Sequence, residues 1–372
     1  VDTRYLYPHI FSDLERKMVF LGGPRQVGKT HLAKSLGTRE YPEHRYLNWD
    51  DADDRAQILG RHLPHTNLLI LDELHKNRKW RGLIKGLFDK YHPKLKLLVT
   101  GSARLDYYRF GGDSLQGRYF YYRMHPLSVS ELKIGNPSEL LDLLRLGGFP
   151  EPFLSGSDRT ARRWSRAYRQ RLIREDLVAL EKTEDLARVE LMTMRLPDLV
   201  GSLLSINRLR EDLQVSHVTA SKWFRILERL YHVFSVHPFG SPKIKSVKKE
   251  FKHYHWDWSL VPEGGSRFEN FIASHLLKWC HFSEDTEGHD MELRYFRDKE
   301  QREVDFVVLK DLAPILFCEA KVAERVSSPH LRYLKARFPK VRAVQVVRDM
   351  EDAFMTPDGI EILPALRFLQ EL

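Results

Sequence analysis

The sequence predicts an α/β protein built on a buried, mostly parallel sheet, and three observations carry that expectation. Short apolar runs alternate with helical patterning through about the first 135 residues. One run, Asn67 to Leu71, is apolar almost throughout, as in a strand covered on both faces. A glycine-bearing loop also stands between an expected strand and an expected helix.

Taken in order, Lys17 to Leu21 is the first expected strand and Thr30 to Leu36 opens a helix. Arg45 to Trp49, Asn67 to Leu71, Leu95 to Thr100 and Tyr119 to Met124 are further strands, the last closed by His125-Pro126. From Ser128 to about Leu186 the pattern is helical, broken at Gly147-Gly148-Phe149-Pro150. More helices are expected from Val189 to Phe239, and Lys243 to Trp258 is basic and aromatic. Pro262-Glu263-Gly264-Gly265-Ser266 reads as a linker, with a second α/β module after it.

Composition narrows the classes of function. At 372 residues and 42% apolar, the chain can bury more than one core, and wholesale disorder is excluded. Lys and Arg number 60 against 51 Asp and Glu, a formal charge of +9 that makes a polyanion such as nucleic acid a reasonable partner. Cys280 and Cys318 supply neither a disulfide framework nor a zinc cluster and suit a reducing compartment. The 17 histidines show no metal-ligand spacing. His253 and His255 alternate with aromatic residues, which reads as surface histidines and core rings. No run approaches the roughly 18 apolar residues of a membrane helix, and no signal peptide is read at the start. A cytoplasmic protein with no membrane association is expected.

Gly23-Pro24-Arg25-Gln26-Val27-Gly28-Lys29-Thr30 matches G-x-x-x-x-G-K-[ST]. Such a loop turns its amide N–H groups toward phosphate oxygens, at a helix N-terminus that favours negative charge. Lys29 would reach the β- and γ-phosphates, and the Thr30 hydroxyl would bind magnesium. The apolar run at Leu68 ends in Asp72-Glu73. Asp72 is placed for the magnesium shell and Glu73 to polarise the attacking water. ATP and Mg²⁺ are therefore the expected cofactors. Ser102, after Thr100-Gly101, is expected to position that water or else to serve as a turn residue. Arg118 is a candidate for an arginine supplied to a neighbouring subunit's nucleotide, with Arg104 as its rival.

The loop, Asp72-Glu73, the Leu98 to Ser102 segment, Gly117-Arg118 and His125-Pro126-Leu127-Ser128-Val129-Ser130-Glu131-Leu132 together resemble the AAA+ ATPases of bacteria and archaea. The chain is similar in particular to their subgroup with an uncharacterised C-terminal domain, and Gly147 to Glu151 resembles the helical lid of that subgroup. The resemblance covers most of the chain. It implies a homo-oligomer, with a ring as the natural assembly if Arg118 acts in trans.

Arg159, Arg162, Arg163, Arg166, Arg169, Arg171 and Arg174 lie in a stretch without acids, mostly at helical i, i+3, i+4 spacing, with Trp164 and Tyr168 among them. Three readings are open: a phosphate-tracking helix, a lid over nucleotide phosphates, or a solvated helix packed on an acidic neighbour. Asn207 to Leu227 reads as helix, tight turn, helix, with Leu209, Leu213, Val215, Val218, Phe224 and Leu227 as its core. His217, Thr219, Ser221, Lys222 and Arg225 fall where helix-turn-helix proteins contact DNA. Val233 to Val236 and the lysines from Lys243 and Lys245 to Lys252 point to a winged variant; packing is the other use of such a module.

Near the C-terminus, Glu303 to Val308 and Leu316 to Lys321 are expected strands carrying acids. Glu319 and Lys321 are two apart and share a face. A neighbouring strand can bring Asp305 beside Glu319 for a divalent metal. The arrangement resembles the PD-(D/E)xK nuclease superfamily, with Glu269, Asp305, Glu319 and Lys321 filling the motif and Val304 replacing its usual proline. A fold kept for binding alone is the alternative to cleavage.

The whole reading is a P-loop AAA+ core (1–135), a helical lid (136–186), a winged-helix-like middle (187–262) and a restriction-endonuclease-like α/β domain (263–372). ATP-driven action on DNA is the expected function. The alternative is a nucleotide-gated switch or scaffold for a protein partner.

Overall fold

A computed structural model describes residues 4–60, 66–77, 79–101, 115–178, 185–240 and 251–372. The chain forms two compact units, Val1–His125 and Pro126–Leu372.

The first unit opens with α1 (Tyr7–Leu14) and β1 (Met18–Gly22), then α2 (Lys29–Glu40), β2 (His44–Asn48), α3 (Ala52–Gly60) and β3 (Leu68–Asp72). It continues through α4 (Trp80–Tyr91), β4 (Lys96–Thr100) and β5 (Tyr119–Arg123). The five strands form one sheet in the order β2-β3-β4-β1-β5, and every pairing is parallel. Every residue of β1 and β3 is buried. That is why these strands are unbroken apolar runs rather than alternating ones. Residues two apart share a face. Met18 and Phe20, Leu69 and Leu71, and Leu97 and Val99 therefore face Trp80, Ile84 and Leu87 of α4, spaced along one helical stripe, in a single core. All five expected strands are present, each within one residue of its predicted start.

The second unit begins with α5 (Val129–Leu132), α6 (Pro137–Leu146), α7 (Pro150–Ser155) and α8 (Asp158–Arg171), continued by a wider turn over Leu172–Leu177. Next come α9 (Leu186–Arg195), β6 (Leu203–Leu204), α10 (Ile206–Leu213), α11 (His217–Arg229), β7 (Val233–Pro238) and β8 (Phe251–His255). Then follow α12 (Gly265–Glu287), β9 (Met291–Arg297), β10 (Glu303–Lys310), β11 (Ala313–Lys321) and α13 (Pro329–Arg337). The chain ends with β12 (Arg342–Val347), β13 (Phe354–Met355), β14 (Glu361–Pro364) and α14 (Ala365–Gln370).

Nine of these strands form one sheet, in the order β13-β14-β12-β11-β10-β9-β7-β8-β6. β7 pairs with β9 in parallel, His237 opposite Arg294 and Pro238 opposite Tyr295. The sheet thus runs unbroken across the expected boundary at 262/263. The expected linker is instead the entry to α12: Gly264 is its N-cap, at φ +131°, which favours glycine. Residues 136–186 belong to the same unit. Trp258 donates its indole N–H to Leu143 O at 3.0 Å, and a Cβ at Gly148 would lie 2.4 Å from its ring.

Two further expectations are corrected by burial. Val218 is 75% exposed; the helix pair is packed by Leu209, Leu213, Ala220, Trp223, Phe224 and Leu227. Val218 is on the first turn of α11, one residue round from the buried stripe. His253 and His255 are fully buried, not surface. β8 is paired on both edges, by β7 and β6, and Lys252 to His255 are all buried, so both of its faces are covered.

Candidate functional site

The phosphate-loop sequence leaves β1 at Gly22 and enters α2 at Lys29. Its backbone needs glycine at both ends. Gly23 has φ +135°, and a Cβ there would lie 2.4 Å from Met124 O. Gly28 is the N-cap of α2 at φ +102°. Lys29 is buried and donates to Gly23 O at 3.0 Å and Pro24 O at 2.6 Å, folding back over the loop.

Parallel register brings the second half of the site alongside. Thr100 lies opposite Leu21 on one side and Asp72 on the other. The loop, Asp72 and Thr100 thus sit together at the carboxyl ends of adjoining strands, where open α/β sheets bind ligands. The Asp72 carboxylate accepts from Thr30 Oγ1 at 2.7 Å, Tyr46 OH at 2.9 Å and Thr100 Oγ1 at 2.6 Å. Burial, then the Asp72 charge, holds the Tyr46 phenol protonated and hence a donor.

Glu73 follows at φ +55°, fixed by its N–H to Thr100 O at 3.0 Å. Its Oε2 is buried and makes no hydrogen bond. His75 Nε2 and Lys76 Nζ stand 3.5 and 3.6 Å from it. Burial pushes the carboxyl above its ordinary range against the pull of Lys29 and Lys76. A buried carboxylate with a spare acceptor is what a water-activating base requires.

Arg118 sits at the other end of the sheet. It precedes β5, which starts opposite Met18 at the amino end of β1. It pairs with Asp89 at 2.8 Å and holds that carboxyl below its ordinary range. Five strand residues, roughly 16 Å of rise, separate its level from the loop of its own chain. Ser102 and Arg104 lie outside the described residues, as do Lys243 and Lys245.

Arg4 was not legible in the sequence. It is buried and donates to Val27 O within the loop and to His125 O, the latter at 2.6 Å. A lone arginine near the start of a chain carries no motif; only the fold brings it to the loop.

In the second unit, α8 separates its two kinds of residue. Trp164 and Tyr168 are buried and pack on Phe149 at 4.9 and 5.3 Å between ring centres. Arg159, Arg162, Arg163 and Arg166 are exposed on the other side. Among the described residues none of these four has an acidic partner; Arg171 and Arg174 face Glu175 and Glu190. On α11, His217, Lys222 and Arg225 are exposed and Ser221 is half-buried. Ser216 caps that helix by accepting from Thr219 N at 3.0 Å.

The four residues of the nuclease-like motif do converge, and the fold adds three the sequence did not reveal: Lys252, Tyr254 and Glu303. Lys252 Nζ lies 2.7 Å from Glu303, 3.1 Å from Glu269 and 3.4 Å from Asp305. Tyr254 donates to Glu269 at 2.7 Å. Glu319 pairs with Lys321 at 3.0 Å and accepts from Asp305 N at 3.3 Å. Asp305 accepts from Ala320 N at 3.0 Å. Burial, reinforced by Asp305, pushes the Glu319 carboxyl up to about 8 and raises Glu269 as well. Among the described residues no group of three or more His, Cys, Asp or Glu side chains is arranged to hold a metal ion. Asp305 and Glu319, the pair expected to share a divalent metal, lie side by side on neighbouring strands.

Strand order, loop and carboxylates define the first unit as a P-loop nucleotide-binding fold. Residues 15–133 match the family described as AAA domain. Residues 138–263 and 264–368 match two domains of unknown function, DUF8612 and DUF4143. The chain is 25% identical over 378 aligned residues to the uncharacterized proteins Rv2008c of Mycobacterium tuberculosis and Mb2031c of Mycobacterium bovis, covering 95% of this chain and 81% of theirs. Among solved structures it is similar to the Aeropyrum pernix ORC1 protein in complex with DNA, at 12% identity and TM-score 0.36, over 68% of this chain and 90% of that one. It is also similar to the Thermotoga maritima RuvB Holliday junction branch migration motor, at 18% and 0.29, over 61% and 88%. Among the described residues no helix is long and apolar enough to cross a membrane.

Proposed function

We propose that the chain is an ATP-hydrolysing AAA+ protein that acts on DNA. The observation that carries the first half is the network joining Thr30, Thr100 and Tyr46 on the Asp72 carboxylate, with Glu73 beside it holding a free acceptor. The donor set fits magnesium: a hydroxyl and a carboxylate oxygen 2.7 Å apart at the phosphate loop. Thr30 and Asp72 would hold the ion, which supplies charge neutralisation on the β- and γ-phosphates. Lys29 exchanges the loop carbonyls for phosphate oxygens. Glu73 takes the proton of the attacking water. Arg118, held at the far end of its own sheet, acts on a neighbour's nucleotide in a ring or other homo-oligomer.

The second half rests on two basic faces: exposed Arg162, Arg163 and Arg166 on α8, and exposed His217, Lys222 and Arg225 with half-buried Ser221 on α11. The helix pair followed by the β7–β8 hairpin supports a winged-helix reading, with Lys243 and Lys245 between the two strands. The division into core, lid (136–186), winged helix (187–262) and nuclease-like domain (263–372) is part of this proposal. One observation favours the alternative of a nucleotide-gated scaffold for a protein partner: an ammonium stands in the acidic cluster where a nuclease needs a metal.

Duplex binding followed by fluorescence anisotropy tests the DNA half. Affinity is expected to fall by about 10³-fold or more between 50 and 200 mM salt, as for six or so phosphate contacts. Replacing Arg162, Arg163 and Arg166 together by Ala is expected to lower the salt slope by roughly one per arginine. No binding at 50 mM salt would shift the reading to the protein partner.

A further inference from the structure

We infer that the Lys252 ammonium is the resident cation of the acidic cluster in the second unit, and that this cluster binds no divalent metal. An ammonium carries three N–H donors. Here they meet three carboxylates, from Glu303, Glu269 and Asp305, at 2.7, 3.1 and 3.4 Å. Mg²⁺ or Mn²⁺ needs several oxygens at about 2.0–2.2 Å, and a Ca²⁺ shell is only slightly wider. An ion bound by Glu303, Glu269 and Asp305 together would have to occupy the space the Nζ fills.

The other oxygens are in use as well. Asp305 Oδ2 takes the Ala320 N–H, and Glu319 divides its two oxygens between the Asp305 N–H and Lys321.

Lys252 is also unable to step aside. It is 1% exposed. Its backbone is paired on both sides, opposite Val236 of β7 and Leu203 of β6. The side chain then crosses the sheet over Tyr295, 5.9 Å from the ring centre, to reach the acids of α12 and β10. Withdrawing it to solvent means opening the sheet. The lysine braces β8 to α12 and β10, and metal-assisted phosphodiester cleavage is not available here. This inference does not rest on the DNA reading, and its test involves no nucleic acid.

The test is a Mn²⁺ titration of the full chain without nucleotide, read by electron paramagnetic resonance of free Mn²⁺. The wild type is expected to show no saturable site that Asp305→Asn removes. Lys252→Ala opens the space and leaves the acids, so it is expected to gain one site, at least about tenfold tighter than any wild-type binding and abolished by Asp305→Asn. One equivalent bound by the wild type and lost in Asp305→Asn or Glu319→Gln would overturn the proposal. That wild-type comparison decides the matter even if Lys252→Ala does not fold.

Discussion

Glu73→Gln is expected to keep ATP bound while hydrolysis falls by about 10²–10⁴-fold, the ordinary contribution of a positioned general base. The amide is nearly isosteric, so the αL backbone at Glu73 and its N–H bond to Thr100 O are retained. What is lost is a buried carboxylate oxygen that makes no hydrogen bond and can take a proton from water. Because burial raises this carboxyl, wild-type turnover is expected to decline on acidification at a higher pH than an ordinary glutamate would set. The checks are turnover in both proteins and ATP affinity by calorimetry. Normal turnover in the variant would assign water activation to another residue.

Lys252→Met is expected to destabilise the second unit by about 3–5 kcal/mol at pH 8, since it strips the cation from buried carboxylates and leaves them unpaired. The loss should shrink on acidification. Burial and Asp305 raise Glu269 against the pull of Lys252. A carboxyl whose folded pKa exceeds its unfolded value stabilises the fold below the unfolded value, and that contribution is lost as pH rises through the folded one. Removing the ammonium raises Glu269 further, so the variant recovers as the pH falls toward the ordinary glutamate range. Denaturant unfolding at three pH values reads this directly. A loss independent of pH would mean that packing, not charge, is what Lys252 supplies.

The nucleotide site was legible because its parts are local. A loop between two elements and a strand ending in Asp72-Glu73 need only the short-range pattern and a parallel register to meet. The arginine face of α8 was legible in its spacing, although only the structure shows Trp164 and Tyr168 covering Phe149 on the other side. What was hidden depends on long-range pairing. Arg4 reaches Val27 and His125 through the fold alone. Lys252 stands at the end of a lysine-rich stretch and looks like one more surface charge, until β8 is placed between β7 and β6. His253 and His255 are buried because both faces of β8 are covered, and alternation along a strand does not tell whether the second face is covered too. Val218 was misplaced because an apolar residue on the first turn of a helix is ambiguous by one position in facing.

The most direct test of the central claim is steady-state ATP hydrolysis by the full chain with Mg²⁺, measured without DNA and with duplex, single-stranded and branched DNA at low salt. Hydrolysis that is stimulated by at least one of these forms, and absent in Glu73→Gln, is the predicted result. Hydrolysis unchanged by all three, or undiminished in Glu73→Gln, would contradict it.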